Sequence, residues 1–363
     1  MLQSSIIGCL LVLLFAAPAF AQRDSASVPS GPSTDLLPIL SYDTDTGFGF
    51  GAKVFLLNHV GLRESFDVVL FNSTKGERWY RLVVSLPDFE LRQGKSYPLA
   101  IDLLIDYDKW IANGYFGIGN GSRFADRENY TREPFEASLT VSRGFTTTTV
   151  GQIGVRFKVV RFFNLEEGSR LAALPSGLYV PRASAISAFA VLRYDTRSSF
   201  INPTSGIVLQ GEVEHAPEQK FNDVSFTRIG GWLQYYHPIL DPEIVIALRL
   251  GLQSISGSNI PVQFLLPMGG NATLRGSPQD RFLDKVAALA NIEFRFPIVW
   301  RFGGVAGMDA GKVWGDVSKT DLVRWATNPT IGLRLHMDTF VVRLDVGFGV
   351  ETTGLYLNFG QIF

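Results

Sequence analysis

Apolar and polar residues alternate along most of this chain with a period of two. In residues 99–106 (LAIDLLID), the odd positions are all apolar, whereas the even positions include Asp102. The same division recurs in residues 152–159 (QIGVRFKV), 243–253 (EIVIALRLGLQ) and 291–297 (NIEFRFP). Successive side chains of a strand point to opposite faces, so this pattern predicts β-strands with one apolar and one polar face.

The length of these segments indicates strands that cross a membrane. Strands in soluble proteins are usually about 5–6 residues long, whereas a tilted transmembrane strand needs about 9–11 residues. Only a closed barrel crosses hydrocarbon without unpaired edges. Sixteen alternating segments are centred near residues 40, 52, 68, 82, 102, 138, 155, 190, 210, 231, 248, 291, 307, 332, 343 and 359. The predicted fold class is therefore all-β, a transmembrane antiparallel β-barrel of about sixteen strands.

The first residues predict export of the chain. Residues 1–21 (MLQSSIIGCLLVLLFAAPAFA) contain an apolar centre followed by Ala-Phe-Ala, which is typical of a cleaved signal peptide. An uncleaved anchor helix is the alternative, although the apolar run is short for a span of about 20 residues. Residues 22–34 are rich in Ser and Pro and are predicted to be a flexible tail. Residues 35–363 are then expected to form a barrel in the bacterial outer membrane.

Composition argues against several other classes of protein. Cys9 is the only cysteine and lies within the predicted signal peptide, and the four histidines are scattered without ligand spacing. We therefore expect no metal site, no cofactor and no catalytic residue. The formal net charge of −1 also lacks the basic excess that a nucleic-acid partner would require.

One long stretch interrupts the alternation. Residues 257–284 lie between the eleventh and twelfth predicted strands and contain NATLRGSPQDRF at positions 271–282. Taken by itself, this stretch could be an extracellular loop whose Arg275 is merely solvated. The tripeptide Arg143-Gly144-Phe145 is similar in sequence to residues 275–277, but it ends a predicted strand and is followed at once by TTTTV. We interpret that second site as a periplasmic hairpin turn.

Several sequence segments resemble those of the bacterial surface antigen family, that is, the translocation barrel of the BamA, TamA and FhaC superfamily. They are PILSYDTDTGFGFG (38–51), YFGIGNG (115–121), RYDTRSSFINPTSG (193–206), NIEFRFP (291–297) and GMDAGKVW (307–314). The resemblance covers nearly the whole chain after the signal peptide. Family members usually carry POTRA repeats before the barrel, and here only residues 22–34 precede the first predicted strand. We therefore expect a member that lacks those repeats.

The resemblance implies where the long loop lies and what it contacts. In that family this loop folds into the lumen and carries an Arg-Gly-aromatic motif. Leu274, Arg275 and Gly276 match the motif, whereas Ser277 stands at the aromatic position. The resemblance implies that Arg275 reaches the barrel wall at Asp309. Glu293 and Gly311 are further candidate wall positions, and Asp195 with Arg197 form a candidate secondary wall site.

The last strand carries a candidate assembly signal. In GLYLNFGQIF (354–363), Phe359 and the final Phe363 are predicted to share the lipid-facing side with Leu355 and Leu357. A C-terminal Phe on that side is typical of outer-membrane barrels. The alternative is that Phe363 simply ends a packed strand.

These features predict a non-enzymatic outer-membrane barrel that inserts or exports proteins or other envelope components. The expected partners are outer-membrane lipid and lipopolysaccharide, with client or periplasmic proteins as further candidates and no nucleic acid. A porin is the first alternative, because sixteen strands are wide enough for an aqueous channel and Arg156, Lys158, Arg249 and Arg295 would line it. A barrel-embedded enzyme acting on lipids is the second alternative.

Overall fold

The computed structural model describes residues 31–239, 241–337 and 340–363. The predicted signal peptide, and residues 22–30 of the predicted tail, lie outside this range. Ser33 and Thr34, which the sequence assigned to the tail, belong to the first strand.

The described residues form eighteen strands and four short helices. The first nine strands are β1 (Ser33–Asp43), β2 (Gly47–Leu57), β3 (Ser65–Ser73), β4 (Arg78–Leu86), β5 (Tyr97–Tyr115), β6 (Glu128–Gly144), β7 (Thr149–Phe163), β8 (Arg182–Asp195) and β9 (Gly206–Ala216). The others are β10 (Phe226–Ile239), β11 (Asp241–Ser256), β12 (Leu266–Met268), β13 (Phe282–Asp284), β14 (Val286–Val299), β15 (Phe302–Trp314), β16 (Ala326–His336), β17 (Val341–Phe348) and β18 (Thr353–Phe359). The helices are α1 (Phe89–Arg92) and three 3₁₀ turns, Phe124–Asp126, Val262–Phe264 and Val317–Lys319.

Sixteen of these strands form a closed barrel in which each strand pairs with its neighbours in an antiparallel sense. Strands β12 and β13 are not part of the wall, because they form a separate two-stranded sheet inside the loop between β11 and β14. Each of the sixteen predicted segment centres falls within one of the sixteen wall strands. The predicted fold class is therefore confirmed. None of the helices in the described part of the chain is long and apolar enough to cross a membrane.

The apolar faces of the strands point outward. Leu99, Ile153, Leu252 and Ile331 belong to four different strands and all are more than half exposed. The opposite faces carry charged and polar residues that pair with one another inside the barrel, as Arg156 does with glutamates of β6 and β9. An apolar exterior around a closed ring of paired strands is the arrangement that a lipid environment requires.

The two ends of the barrel differ. We call the end at which β1 begins and β18 finishes the terminal end, and the opposite end the loop end. The connections at the loop end include the long segments 116–127, 164–181, 257–285 and 315–325. The tripeptide Arg143-Gly144-Phe145 ends β6 and enters the segment 145–148, a short turn at the terminal end in which the amide of Phe145 donates to the carbonyl of Thr149.

The junction between β1 and β18, which we call the seam, is the shortest pairing in the wall. Two residue pairs join these strands, Tyr42 with Leu357 and Asp43 with Tyr356, whereas eleven pairs join β1 to β2. Both pairs lie toward the loop end. Residues 36–41 of β1 therefore have no β18 partner and present a strand edge on the terminal side of the seam.

The prediction that Phe363 faces lipid is wrong. Strand β18 ends at Phe359, which is exposed on the outer face, and Gly360 follows with a positive φ of 80°. The chain turns inward there, so Phe363 is buried inside the barrel. The alternation of β18 does not continue through this turn, and for that reason the two phenylalanines do not share a face.

Candidate functional site in the barrel lumen

The segment 257–285, here called the lumen loop, folds back between the walls of the barrel. Its two arms pair as β12 and β13, with Leu266 opposite Asp284 and Met268 opposite Phe282. The tip between these strands contains the motif predicted from the sequence, and both Leu274 and Arg275 are fully buried. The solvated-loop alternative for Arg275 is therefore wrong.

Apolar packing fixes the base of the lumen loop at the loop end. Phe264 packs against Phe226 of the wall with ring centroids 5.5 Å apart. Ile260 and Val262 are buried in the same cluster, which also contains Leu171 from the segment 164–181. Burying this surface removes apolar area from water and closes much of the lumen.

Arg275 contacts Asp309 of β15 through three hydrogen bonds. The guanidinium donates from Nε to Oδ2 at 2.9 Å and from Nη2 to Oδ1 at 2.7 Å. The backbone amide of Arg275 also donates to Oδ2 at 3.0 Å. Two parallel bonds from one guanidinium to one carboxylate match the planar geometry of both groups. The structure thus brings together the two residues that the resemblance paired.

The same guanidinium contacts two further carboxylates. Its Nη1 donates to Oε1 of Glu293 at 2.8 Å and to Oδ2 of Asp345 at 3.2 Å. The side chains of Arg275, Glu293, Asp309 and Asp345 are all 0% exposed. Burial alone would lower the pKa of Arg275, but the hydrogen bonds with Asp309 and the charge of Glu293 outweigh it and raise that pKa.

Three arginines of the wall complete the cluster. Arg295 pairs with Glu293 at 2.8 Å, and Asp345 accepts from Arg334 at 2.5 Å and from Arg343 at 2.9 Å. Asp345, Arg334 and Arg343 were not singled out from the sequence. Their alternation within β16 and β17 marks them as lumen-facing, but it does not show that the lumen loop reaches them. Buried charges require this degree of pairing, because an unpaired buried charge costs several kcal/mol.

Glycines allow the loop backbone to touch the wall near the seam. A Cβ on Gly347 would lie 2.5 Å from the carbonyl oxygen of Arg275, and a Cβ on Gly354 would overlap the same oxygen. Gly276 approaches Gly349 equally closely. Real Cβ contacts are never this short, so side chains at these positions would push the loop off the wall. Ser277, where the resemblance predicts an aromatic residue, donates its hydroxyl to Asn328 at 3.2 Å.

The tip of the lumen loop bridges the two sides of the seam. On the β1 side, the amide of Gln279 donates to Asp45 in the β1–β2 turn at 3.1 Å, and burial raises the pKa of that carboxyl. On the β18 side, Arg281 forms two bonds of 2.6 Å with Glu351, and Thr352 donates to the carbonyl of Gly276 at 2.9 Å. The loop therefore ties both edges of the seam at the loop end.

The other predicted wall positions fall in two places. Gly311 lies beneath the loop, where an added Cβ would meet Met268 and Leu274 within 3.2 Å. Asp195 and Arg197 form a two-bond ion pair with each other, at the terminal end where β8 finishes. The structure does not bring that pair to Arg275. The described residues contain no cluster of three or more metal-ligating side chains.

The inward turn after β18 places Phe363 against wall arginines near the terminal end. Its ring lies 5.2 Å from the guanidinium carbon of Arg295 and 5.0 Å from that of Arg249. Its main-chain oxygen accepts from Arg295 at 3.1 Å, and the ring of Tyr236 lies 6.4 Å away. These contacts hold the final residue against the inner wall, on the terminal side of the lumen loop.

We expect Phe363→Ala to lower the free energy of unfolding by about 3 kcal/mol, because it removes a buried ring and two cation–π contacts. Phe359→Ala is the matched control, since that ring lies on the outer face and should cost less in detergent. Urea unfolding of the two variants compares them directly. A larger loss for Phe359→Ala would contradict the inward position of Phe363.

Comparisons with known proteins agree with this architecture. A family model described as the Omp85 superfamily domain matches residues 81–363. The structure of BamA from Haemophilus ducreyi lacking POTRA domains 1–3 has a TM-score of 0.66 and 15% sequence identity, over 91% of this chain and 70% of that chain. CdiB from Escherichia coli has a TM-score of 0.64 and 13% identity, over 91% of this chain and 63% of that chain.

CdiB from Acinetobacter baumannii has a TM-score of 0.54 and 13% identity, over 91% of this chain and 60% of that chain. This chain thus spans less than two thirds of the length of the two CdiB chains. At such identities, the likeness shows a shared fold alone. No curated protein sequence matches this chain significantly.

Proposed function

We propose that this chain, which belongs to the Omp85 superfamily, takes part in the insertion or export of proteins at the bacterial outer membrane by opening its seam. The observation that carries the proposal is the contrast between the short seam and the rest of the wall. Two residue pairs join β1 to β18, whereas β1 pairs with β2 along its whole length. Opening the seam therefore breaks far fewer backbone hydrogen bonds than separating β1 from β2.

The free edge of β1 suggests how a client would be engaged. Residues 36–41 have strand partners on the β2 side only, so their remaining backbone groups face the gap at the seam. An incoming extended segment can add to such an edge through main-chain hydrogen bonds. Main-chain pairing does not depend on the sequence of the added strand, which suits a protein that handles several clients.

The lumen loop sets how far the seam opens. Its tip holds the β1–β2 turn through Asp45 and the β17–β18 turn through Glu351. Both contacts lie at the loop end, where the two residue pairs of the seam also lie, so the loop tip must release one edge before those pairs can part. We orient the terminal end toward the periplasm, because the long connections lie at the loop end and outer-membrane barrels have short periplasmic turns and longer extracellular loops. Client and periplasmic proteins would meet the barrel on that side.

The same observations argue against the porin. Arg249 and Arg295, which were expected to line an open channel, are engaged with residues that fill the lumen. Arg249 donates to the carbonyls of Ala272 at 2.7 Å and Ile362 at 3.2 Å, and Arg295 contacts Phe363. A channel filled by its own loop and final residues does not provide a wide aqueous path.

A disulfide across the seam tests the proposal. Tyr42 and Leu357 are directly paired, and opposed residues of antiparallel strands lie about 4.5–5.5 Å apart, within disulfide range. Cys9 is the only native cysteine, so Tyr42→Cys with Leu357→Cys introduces a defined thiol pair. We expect oxidation to abolish assisted insertion and reduction to restore it, because a covalent seam cannot part.

The measurement uses the full chain in liposomes and a urea-unfolded outer-membrane barrel polypeptide as the client, with folded client followed by its gel mobility. Val213→Cys with Ile229→Cys is the matched control, since these outward residues pair between β9 and β10 in a long junction. Its oxidation should change nothing. Equal activity of the oxidised seam pair and the oxidised control would overturn the proposal.

A further inference from the structure

A furrow crosses the outer face of the barrel at β6, β7, β8 and β9. Two neighbouring rows of outward residues define it. One row runs through Arg143, Gly151, Leu192 and Gly211, which are successive partners across the four strands. The next row runs through Val141, Ile153, Ala190 and Val213 in the same way.

Small residues form the floor of the furrow. Gly151, Ala190 and Gly211 lie between the larger side chains of Ile153 and Leu192. The resulting concavity has a volume of about 700 Å³, within the size range of ligand sites, about 300–1,000 Å³. A Cβ added to Gly211 would meet no atom within 4 Å, so the space there is open to the surroundings.

One end of the furrow carries an unpaired cation. Arg143 is exposed and has no hydrogen bond or ion pair with any described residue. Its guanidinium carbon lies 5.6 Å from the ring centroid of Phe145, and that ring lies across Gly151. Arg143 sits at the terminal end, where β6 finishes. An arginine beside an aromatic ring at the end of transmembrane strands is placed to meet lipid headgroups.

From this geometry we infer a binding site for one phospholipid, with an acyl chain in the furrow and the phosphate on Arg143. The outer face of the barrel contacts lipid, and an empty furrow would leave its lining without contact partners. A flexible acyl chain fills a narrow apolar furrow, and a guanidinium binds phosphate oxygens with two parallel bonds. The choice of leaflet rests on the orientation proposed above. In that orientation the lipid belongs to the periplasmic leaflet, which favours a phospholipid over lipopolysaccharide.

The site also gives a role to the tripeptide Arg143-Gly144-Phe145. Arg143, Gly144 and Phe145 resemble the lumen motif in sequence, but Arg143 and Phe145 are exposed on the outside of the barrel at the terminal end. Arg143 and Phe145 line the furrow, whereas Gly144 lies against Tyr97 and the carbonyl of Lys95, where a Cβ would meet Lys95 at 2.9 Å. The tripeptide therefore brings a cation and a ring to the mouth of the furrow.

Native mass spectrometry of the full chain in detergent tests this site, with phosphatidylglycerol and diacylglycerol added separately. We expect one phosphatidylglycerol to be retained, with about tenfold weaker retention of diacylglycerol, because the latter lacks the phosphate. Arg143→Gln should remove that preference. Gly211→Leu should reduce retention of both lipids, because its side chain fills the furrow without a clash in the protein.

Two controls keep the test specific. Ala306→Leu enlarges an exposed residue of β15, away from the furrow, and Arg324→Gln removes an exposed cation from the segment 315–325 at the loop end. Both should retain lipid as the native chain does. The inference would be overturned if Gly211→Leu retained as much lipid as Ala306→Leu. It would also be overturned if Arg143→Gln kept the preference for phosphatidylglycerol. Neither result depends on whether the seam transports a client.

Discussion

Replacing Arg275 with alanine is expected to lower the free energy of unfolding by about 3–5 kcal/mol, the cost of stranding buried charges without their partner. The guanidinium is shared by Asp309, Glu293 and Asp345, and all four side chains are 0% exposed. Asp309 is destabilised most, because its carboxylate loses both hydrogen bonds from the guanidinium of Arg275. Urea unfolding of the barrel, followed by the mobility difference between folded and unfolded chain on gels, measures the loss.

The matched control for this variant is Arg182→Ala. Arg182 pairs with Asp223 at 3.4 Å, but these side chains are 55% and 48% exposed, so the pair contributes about 0–1 kcal/mol. If the two alanine variants lost similar stability, the cluster would not brace the barrel. A reciprocal exchange of Arg275 and Asp309 is less informative, because an acid at position 275 would face Glu293 and Asp345. We expect that exchange to recover little.

The wall of the barrel could be predicted from the sequence because lipid imposes a regular pattern. Every wall strand must present apolar residues to hydrocarbon and pairs its polar residues inside, so the period of two marks strand and face together. The same count placed a long loop at residues 257–284, where the alternation is interrupted, whereas its entry into the lumen was implied by the family resemblance. The contact between Arg275 and Asp309 came from the family resemblance, and the geometry of the loop is consistent with it.

The rest of the cluster depends on the path of the loop, which no periodicity encodes. Asp345 and Arg334 lie on lumen-facing positions, but many other charged residues do too, and alternation does not rank them. Asp45 and Glu351, which hold the loop tip, lie in turns where the alternation stops. The inward path of Phe363 depends on the left-handed conformation of Gly360. A glycine adopts positive φ readily, but its presence near the end of a strand does not specify a turn.

Replacing Gly347 with valine is expected to displace the tip of the lumen loop. Gly347 lies on the inner face of β17, and a Cβ there would lie 2.5 Å from the carbonyl oxygen of Arg275 and 2.6 Å from its Cβ. Overpacking of this kind costs about 1–3 kcal/mol, and the shifted backbone also carries Arg275 away from its three carboxylates. The wall strands keep their pairing, because the added methyl groups point into the lumen.

Single-channel recording in planar bilayers measures the consequence of that displacement. A sixteen-stranded barrel whose lumen is unplugged is wide enough to conduct, so we expect frequent large openings of Gly347→Val where the native chain gives small and rare ones. Gly211→Val is the matched control, because the same substitution on the outer face meets no atom within 4 Å. The loop tip crosses the seam between Asp45 and Glu351, so its displacement should also weaken the seam. Conductance of Gly347→Val no greater than that of Gly211→Val would show that the lumen loop does not close the channel.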